Sequence, residues 1–426
     1  MKYLTQIIRA DLFLPIMFLI ITTTSCNKEV EQFSENVITP ATGLKLLAEE
    51  LQTNTDDSLY YRMVATAGLT GLLSDSSKHY TMFVTNNLGV KMFFSLLSGG
   101  ALSPNDNDAY FSNYISTSDS STIVKYRMLI LYNTIPQDVR SADISSAFPN
   151  FVYPTAVNPS PTTNTLIGPV IRLATYPTSR NGGWLNNMPI TGLDQLAFNG
   201  VIHHTATIVA PAQDSLWNRI STDPDLTYLK AAILRADVGV SADSTLQHYL
   251  SMFGPDFTIF APVDNAFREA LTLLITRGIL AQGFVTDTTI AQGLASGLAS
   301  TPAVFSNPLL SGTLTPKNVK GLLAYHILMN RAFTNNFPTT ETAYPTLLNS
   351  GVPQHPGLKL KCIFGVVPGV PFPIVISATL KDVLNNTANL IINTQPFTPN
   401  PFGTSDQNFI NGTLNKIDKV LLPQSF

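Results

Sequence analysis

Four short blocks recur, in the same order, in the two halves of this chain, and no other feature restricts its folding as tightly. Leu47, Leu51, Asp56, Tyr60, Val64 and Ala67 return as Leu216, Ile220, Asp225, Leu229, Ile233 and Ala236, each 169 residues further on. The apolar members largely stand four apart, the spacing of one helix face. Ahead of the first copy, Thr39 and Pro40 read as a cap and first-turn pair leading into Leu44, Leu47 and Leu51. Tyr80-Thr81-Met82-Phe83-Val84-Thr85 returns as Phe257-Thr258-Ile259-Phe260-Ala261-Pro262, a β-prone run that stops where a turn or helix begins. Leu131-Tyr132-Asn133-Thr134-Ile135 pairs with Ala324-Tyr325-His326-Ile327-Leu328. Asn199-Gly200-Val201-Ile202 pairs with Asn411-Gly412-Thr413-Leu414, each opening a strand that runs toward a proline, Pro211 or Pro423. The shift grows from 169 to 177, 193 and 212 residues, so the second copy holds extra residues between its blocks.

Two tandem units follow, 37–212 and 213–426, in a chain of 426 residues, which exceeds the ~100–200 of one domain. The expected insertions of the second unit are the Gly/Ala/Ser-rich stretch from Gln292 to Gly312 and the proline-rich stretch around Pro368, Pro371 and Pro373. The first unit has its own long loop from Pro154 to Pro189, and loops of that length often bind ligands. Hydrophobic residues make up 44% of the chain, enough for sizeable cores, whereas charged residues make up 12%, half the usual ~25%. With a net charge of −3 and no Lys/Arg run, nothing draws nucleic acid, and no such partner is expected.

The N-terminus reads as an export signal. Lys2 and Arg9 precede an apolar run from Leu12 to Ile21, which is too short for a membrane-spanning helix of ~20 residues. Thr23, Thr24 and Ser25 then lead to Cys26, an arrangement that resembles the lipobox of bacterial lipoproteins, with Thr23 where leucine is usual. The resemblance implies a signal peptide over 1–25, lipidation of Cys26 and a tether over 26–36. Asn27-Lys28-Glu29-Val30-Glu31 loosely resembles the surface-export signals of Bacteroidetes lipoproteins; a solvated tether is the alternative. Stable anchoring takes more than one acyl chain, and bacterial lipoproteins carry several. The expected location is the outer membrane, on the cell surface or the periplasmic face. Cys362 would be the one cysteine of the mature chain, which leaves no intrachain disulfide.

The repeated blocks resemble the fasciclin domain. Phe257-Thr258-Ile259-Phe260-Ala261-Pro262-Val263-Asp264-Asn265-Ala266-Phe267 follows that family's strand-to-helix block nearly throughout. Tyr325-His326, Asn411-Gly412 and Lys419-Val420-Leu421-Leu422-Pro423 match its central pair, closing strand and tail. The first copy is degenerate: Thr85-Asn86-Asn87 replaces Ala-Pro-x-Asp, Val90 replaces the phenylalanine and Asn133 the histidine. The resemblance implies an α+β fold of two tandem domains, each a wedge-shaped β-sandwich with helices packed at one side. It also implies adhesion or ligand binding rather than a shared catalytic activity.

Site residues are sparse. Tyr325 and His326 sit in the family's central stretch, and the region is linked to receptor binding in some animal relatives; a buried histidine bonded to backbone is the alternative. Trp184, in Asn181-Gly182-Gly183-Trp184-Leu185-Asn186-Asn187, suits sugar stacking if exposed and a buried loop anchor if not. His203 and His204 are adjacent on a strand, so they face opposite ways and cannot readily share a metal. No nucleophile, metal or phosphate-loop motif occurs, so neither catalysis nor a cofactor is expected. The expected partner is a glycan, a matrix component or an envelope protein, with glycan capture for a polysaccharide-uptake system as the second reading.

Overall fold

In the computed structural model, which describes residues 43–158, 172–283, 285–367, 372–393 and 403–424, the first repeated block forms a pair of helices in each half. The expected leader, Cys26, the tether, the Thr39-Pro40 pair, Pro368 and Pro371 lie outside the described residues. Leu47–Thr53 and Ser58–Thr66 are matched by Leu216–Thr222 and Thr227–Ala236. Their paired apolar residues, from Leu47 and Tyr60 to Leu229 and Ala236, are all buried. Lys45–Phe426 holds together as one packed unit.

The strands of the first half are β1 (Tyr80–Val84), β2 (Thr134–Ile135), β3 (Tyr153–Pro154), β4 (Ala174–Thr175), β5 (Pro177–Thr178), β6 (Trp184–Leu185), β7 (Met188–Ala197) and β8 (Gly200–Thr205). They make a six-stranded sheet in the order β2-β1-β8-β7-β6-β5 and a separate β3-β4 ribbon. β1 is buried along its whole length, as suits a strand covered on both faces. It runs parallel to β8, with Tyr80 opposite Gly200.

The second half repeats this centre with β9 (Phe257–Pro262), β10 (Ile327–Leu328), β11 (Thr342–Tyr344), β12 (Leu358–Gly365), β13 (Ile374–Lys381), β14 (Thr387–Asn389), β15 (Gln407–Phe409) and β16 (Gly412–Ile417). β9 runs parallel to β16, with Phe257 opposite Gly412, and β10 pairs antiparallel to β9. One sheet is β10-β9-β16-β15 and a second is β11-β12-β13-β14. Phe260, Leu328 and Ile417 of the first share a core cluster with Leu358, Leu360, Cys362 and Leu380 of the second. Cys362 is a free, buried thiol that burial pushes up to about 12. The architecture is α+β, with helices and several small sheets.

The expected Gln292–Gly312 insertion and the expected 154–189 loop both carry secondary structure. Much of the Gln292–Gly312 stretch is helical: Thr288–Leu298 is capped by Asp287, whose carboxylate accepts from the backbone N–H of Thr289 and Ile290. Ala291 and Ala295, four apart, are fully buried, which small side chains allow at close helix contact. The described part of the 154–189 stretch carries β4, β5 and β6, and it packs against the second half.

Candidate functional site

The family-like signature residues turn out to form a repeated set of internal hydrogen bonds. His326 ends the Pro316–Tyr325 helix. Its Nδ1 donates to the Leu322 carbonyl at 2.9 Å, and its Nε2 accepts from the Leu421 N–H at 3.0 Å. These two bonds fix a neutral tautomer, and burial lowers the imidazole to about 4. In the first half Asn133 does the same work. Its Nδ2 donates to Leu129 and Val209 carbonyls at 2.8 Å, and its Oδ1 accepts from the Val209 N–H at 3.3 Å. Tyr325 and Tyr132 are both buried, with hydroxyls donating to the Gly357 and Ala174 carbonyls at 3.0 Å. His326 therefore ties the closing tail to its helix, Tyr325 is held by Gly357, and both side chains are buried.

The same geometry is kept elsewhere, by identical residues or by changed ones. Asn199 and Asn411 each accept, through Oδ1, the first N–H of their half's opening helix, Leu47 at 2.8 Å and Leu216 at 3.0 Å. Asn87 accepts from the Leu59 N–H at 2.9 Å where Asp264 accepts from Tyr228 at 3.0 Å. Asp194 and Asp406 both adopt positive φ and accept from Ser141 and Thr334 respectively, N–H and hydroxyl alike. Burial raises Asp406 to about 6. The histidine pair divides as expected for adjacent strand residues. His203 is buried, with Nδ1 accepting from the Asp194 N–H and Nε2 donating to the Val139 carbonyl, while His204 meets Asp57 at 3.0 Å. Among the described residues, no group of three or more His, Cys, Asp or Glu side chains is placed to hold a metal.

Trp184 is only 5% exposed, so the sugar-stacking expectation gives way to the buried anchor. Its Nε1 donates to the Asn181 carbonyl at 3.0 Å, and its ring lies 6.0 Å from that of Phe364 in the other half. The surrounding loop joins the two halves. Asn181 Nδ2 donates to the carbonyls of Asn335 and Phe337 at 2.8 and 3.0 Å. Asn335 Nδ2 donates to the Asn186 carbonyl at 2.8 Å, and Asn336 Nδ2 to that of Ala147 at 3.1 Å. Beside these amides, buried Arg331 reaches Asp256 at 2.6 Å and stacks 4.7 Å over the Tyr176 ring. Tyr176 in turn donates to Asp256 at 2.9 Å. These bonds form only when both halves are in place, so the junction favours one relative orientation.

Besides a recess of about 400 Å³ beside Ser221, Pro224, Lys230 and Leu234, two others are large enough for a small ligand. One, of about 320 Å³, lies at the junction, lined by Tyr132, Arg172, Tyr176, Phe253, Asp256 and Arg331 among others. The other, of about 470 Å³, lies within the second half. Its walls come from the Asp264–Ala281 helix, the Pro316–Tyr325 helix and the closing tail, through Phe267, Leu271, Leu274, Leu322, Val420 and Leu422. Such a volume and apolar lining fall within the ~300–1,000 Å³ range of small-molecule sites. Neither recess was visible in the sequence. The one available signal was Ala270, which stands where the first half has Phe93.

No protein-family profile matches the chain, and no curated protein matches it. Among solved structures it is similar to a FAS1 domain pair from the insect cell adhesion molecule fasciclin I. The identity is 11%, over 88% of this chain and 95% of that one, with a TM-score of 0.31.

Proposed function

We propose that the chain is a non-catalytic binding protein of fasciclin type, lipid-anchored through Cys26 to the outer membrane and used for adhesion or ligand capture. The observation that carries the reading is the solvent-open apolar recess of about 470 Å³, set in a half whose signature polar residues are committed to internal bonds. His326 lacks the freedom a general base needs, since both ring nitrogens are engaged and burial holds it neutral. The wedge-shaped sandwich of the family is the finer form of the α+β architecture that this reading adopts. The fixed junction would present both modules as one rigid surface, which favours simultaneous contact with an extended partner.

Glycan capture is the second reading, and the junction recess supports it. Tyr132, Tyr176 and Phe253 offer aromatic surface there, and Arg172 and Asp256 offer hydrogen-bonding groups. The two readings and the enzymatic one separate in a single panel. The purified chain is tested on a glycan array, on matrix-coated surfaces, and for turnover of glycoside, ester and peptide substrates. Saturable retention without turnover is the expected result. Catalytic turnover with no saturable retention would overturn the proposal.

A further inference from the structure

The apolar recess differs from the corresponding region of the first half in one telling respect. The helix after β1, Asn87–Leu97, carries Phe93 and Phe94 where the helix after β9 carries Ala270 and Leu271. Both phenylalanines are buried, and Phe94 packs against the rings of Phe111, Tyr114 and Tyr126. The second half has an alanine at the first position and a cavity beside it. Apolar side chains left facing water along such a recess forgo the stabilisation of burial, which a ligand that covers them would restore.

The polar groups around the recess narrow what that occupant is. Asn318 Nδ2 donates to the Thr313 carbonyl, and Asn386 Nδ2 donates to Asp382. Glu269 accepts from Asn265 at 2.6 Å. Arg277 and Lys419 are different: both line the recess, both are exposed, and among the described residues neither makes a hydrogen bond or ion pair. An apolar interior with two uncommitted cations where it meets solvent is complementary to an apolar body with an anionic head.

We infer that the recess of the second half binds a single-chain anionic amphiphile of the fatty-acid class, its chain beside Ala270 and Leu271 and its head group against Arg277 and Lys419. This rests on the reading of the chain as a binding protein and names a ligand class for it. The first half, with Phe93 in place of alanine, has no equivalent role.

The test uses the full chain carrying Cys26→Ala, so that its own acylation cannot compete. Palmitate, hexadecyl phosphate and hexadecanol are titrated calorimetrically below their aggregation concentrations. Palmitate is expected to bind at one site per chain. Ala270→Phe, which borrows the first half's own residue, should abolish binding of all three ligands while thermal unfolding shows the fold intact. Arg277→Glu with Lys419→Glu, both at exposed positions, should weaken palmitate by at least about tenfold and leave hexadecanol unchanged. Hexadecyl phosphate bound in place of palmitate would keep the site and reassign the head group to phosphate. No palmitate or phosphate binding, or binding indifferent to Ala270→Phe, overturns the inference. So does hexadecanol binding as tightly as palmitate. Any of these results would leave retention on glycan or matrix surfaces, and with it the broader reading, to stand or fall separately.

Discussion

Replacing His326 with asparagine should remove a specific acid sensitivity from the second half. Burial holds the folded imidazole at about 4, against an unfolded reference of ~6.5. As pH falls through 6.5 the unfolded chain takes up a proton that the folded chain refuses, so unfolding is favoured, and the effect stops growing once pH drops below 4. Integrating between those two values, the group withdraws ~2 kcal/mol of stability at pH 5 and ~3 kcal/mol at pH 4, relative to pH 8. Asp406 acts in the opposite sense. Its folded value is raised to about 6, so the folded state binds that proton first and gains stability as pH falls toward the unfolded carboxylate value. The total pH profile therefore understates the histidine. The comparison with His326→Asn isolates it, because Asp406 is common to both chains. Asn133 shows that an asparagine can make both bonds at this position. Urea unfolding at pH 8, 5 and 4 measures the effect. The stability advantage of wild type over the variant should shrink by ~2 and then ~3 kcal/mol as pH falls. An advantage that stays constant across that range would refute the buried, neutral histidine.

Other perturbations follow from the same geometry. In Gly412→Ala the new Cβ would land on the Phe257 carbonyl and the Leu216 side chain, so urea unfolding should show a loss above ~2 kcal/mol. Gly351→Ala, with only the Leu348 carbonyl nearby at 3.8 Å, should stay within ~0.5 kcal/mol, and equal costs would contradict the close approach of β9 to β16. Arg331→Met removes the cation beside Asp256, which keeps its Tyr176 bond, and should cost about 2 kcal/mol, with part recovered by adding Asp256→Asn; no recovery in that double variant would mean the ion pair is not the reason. Trp184→Ala should cost ~3–5 kcal/mol through the lost anchor while leaving any glycan retention unchanged, and selective loss of glycan at full stability would restore it as a sugar platform.

The repeated skeleton was legible because its blocks carry their own local geometry. Residues four apart from Leu47 to Val64 gave helices, and the β-prone run from Tyr80 gave a central strand. The register between Gly200 and Tyr80, and between Gly412 and Phe257, then agrees with shifts of 177 and 212 residues. The apparent degeneracy of the first copy was partly misleading. Asn87 and Asn133 differ in chemistry from Asp264 and His326 but present an acceptor oxygen or nitrogen to the same backbone N–H groups. Trp184 could not be placed from its neighbours. A polar, glycine-rich loop reads as exposed until Asn335 and Phe337, about 150 residues away, supply its partners. The helix that runs into the Gln292–Gly312 insertion was not legible, because its buried face consists of only two alanines, Ala291 and Ala295. The apolar recess depends on which side chains converge from several separate segments, and periodicity within one segment says nothing about that.

The claim on which the account depends most is that this chain works as a surface-held binder. It is tested by expressing the full chain, and the chain with Cys26→Ala, in a Gram-negative host, and measuring membrane partition together with retention of the cells on glycan-, matrix- and fatty-acid-coated surfaces. The account predicts that the wild-type chain partitions with membranes and increases retention on at least one surface. It predicts that Cys26→Ala loses both at equal protein level. Membrane partition and retention that are the same for the two chains, or no retention by either, would contradict it.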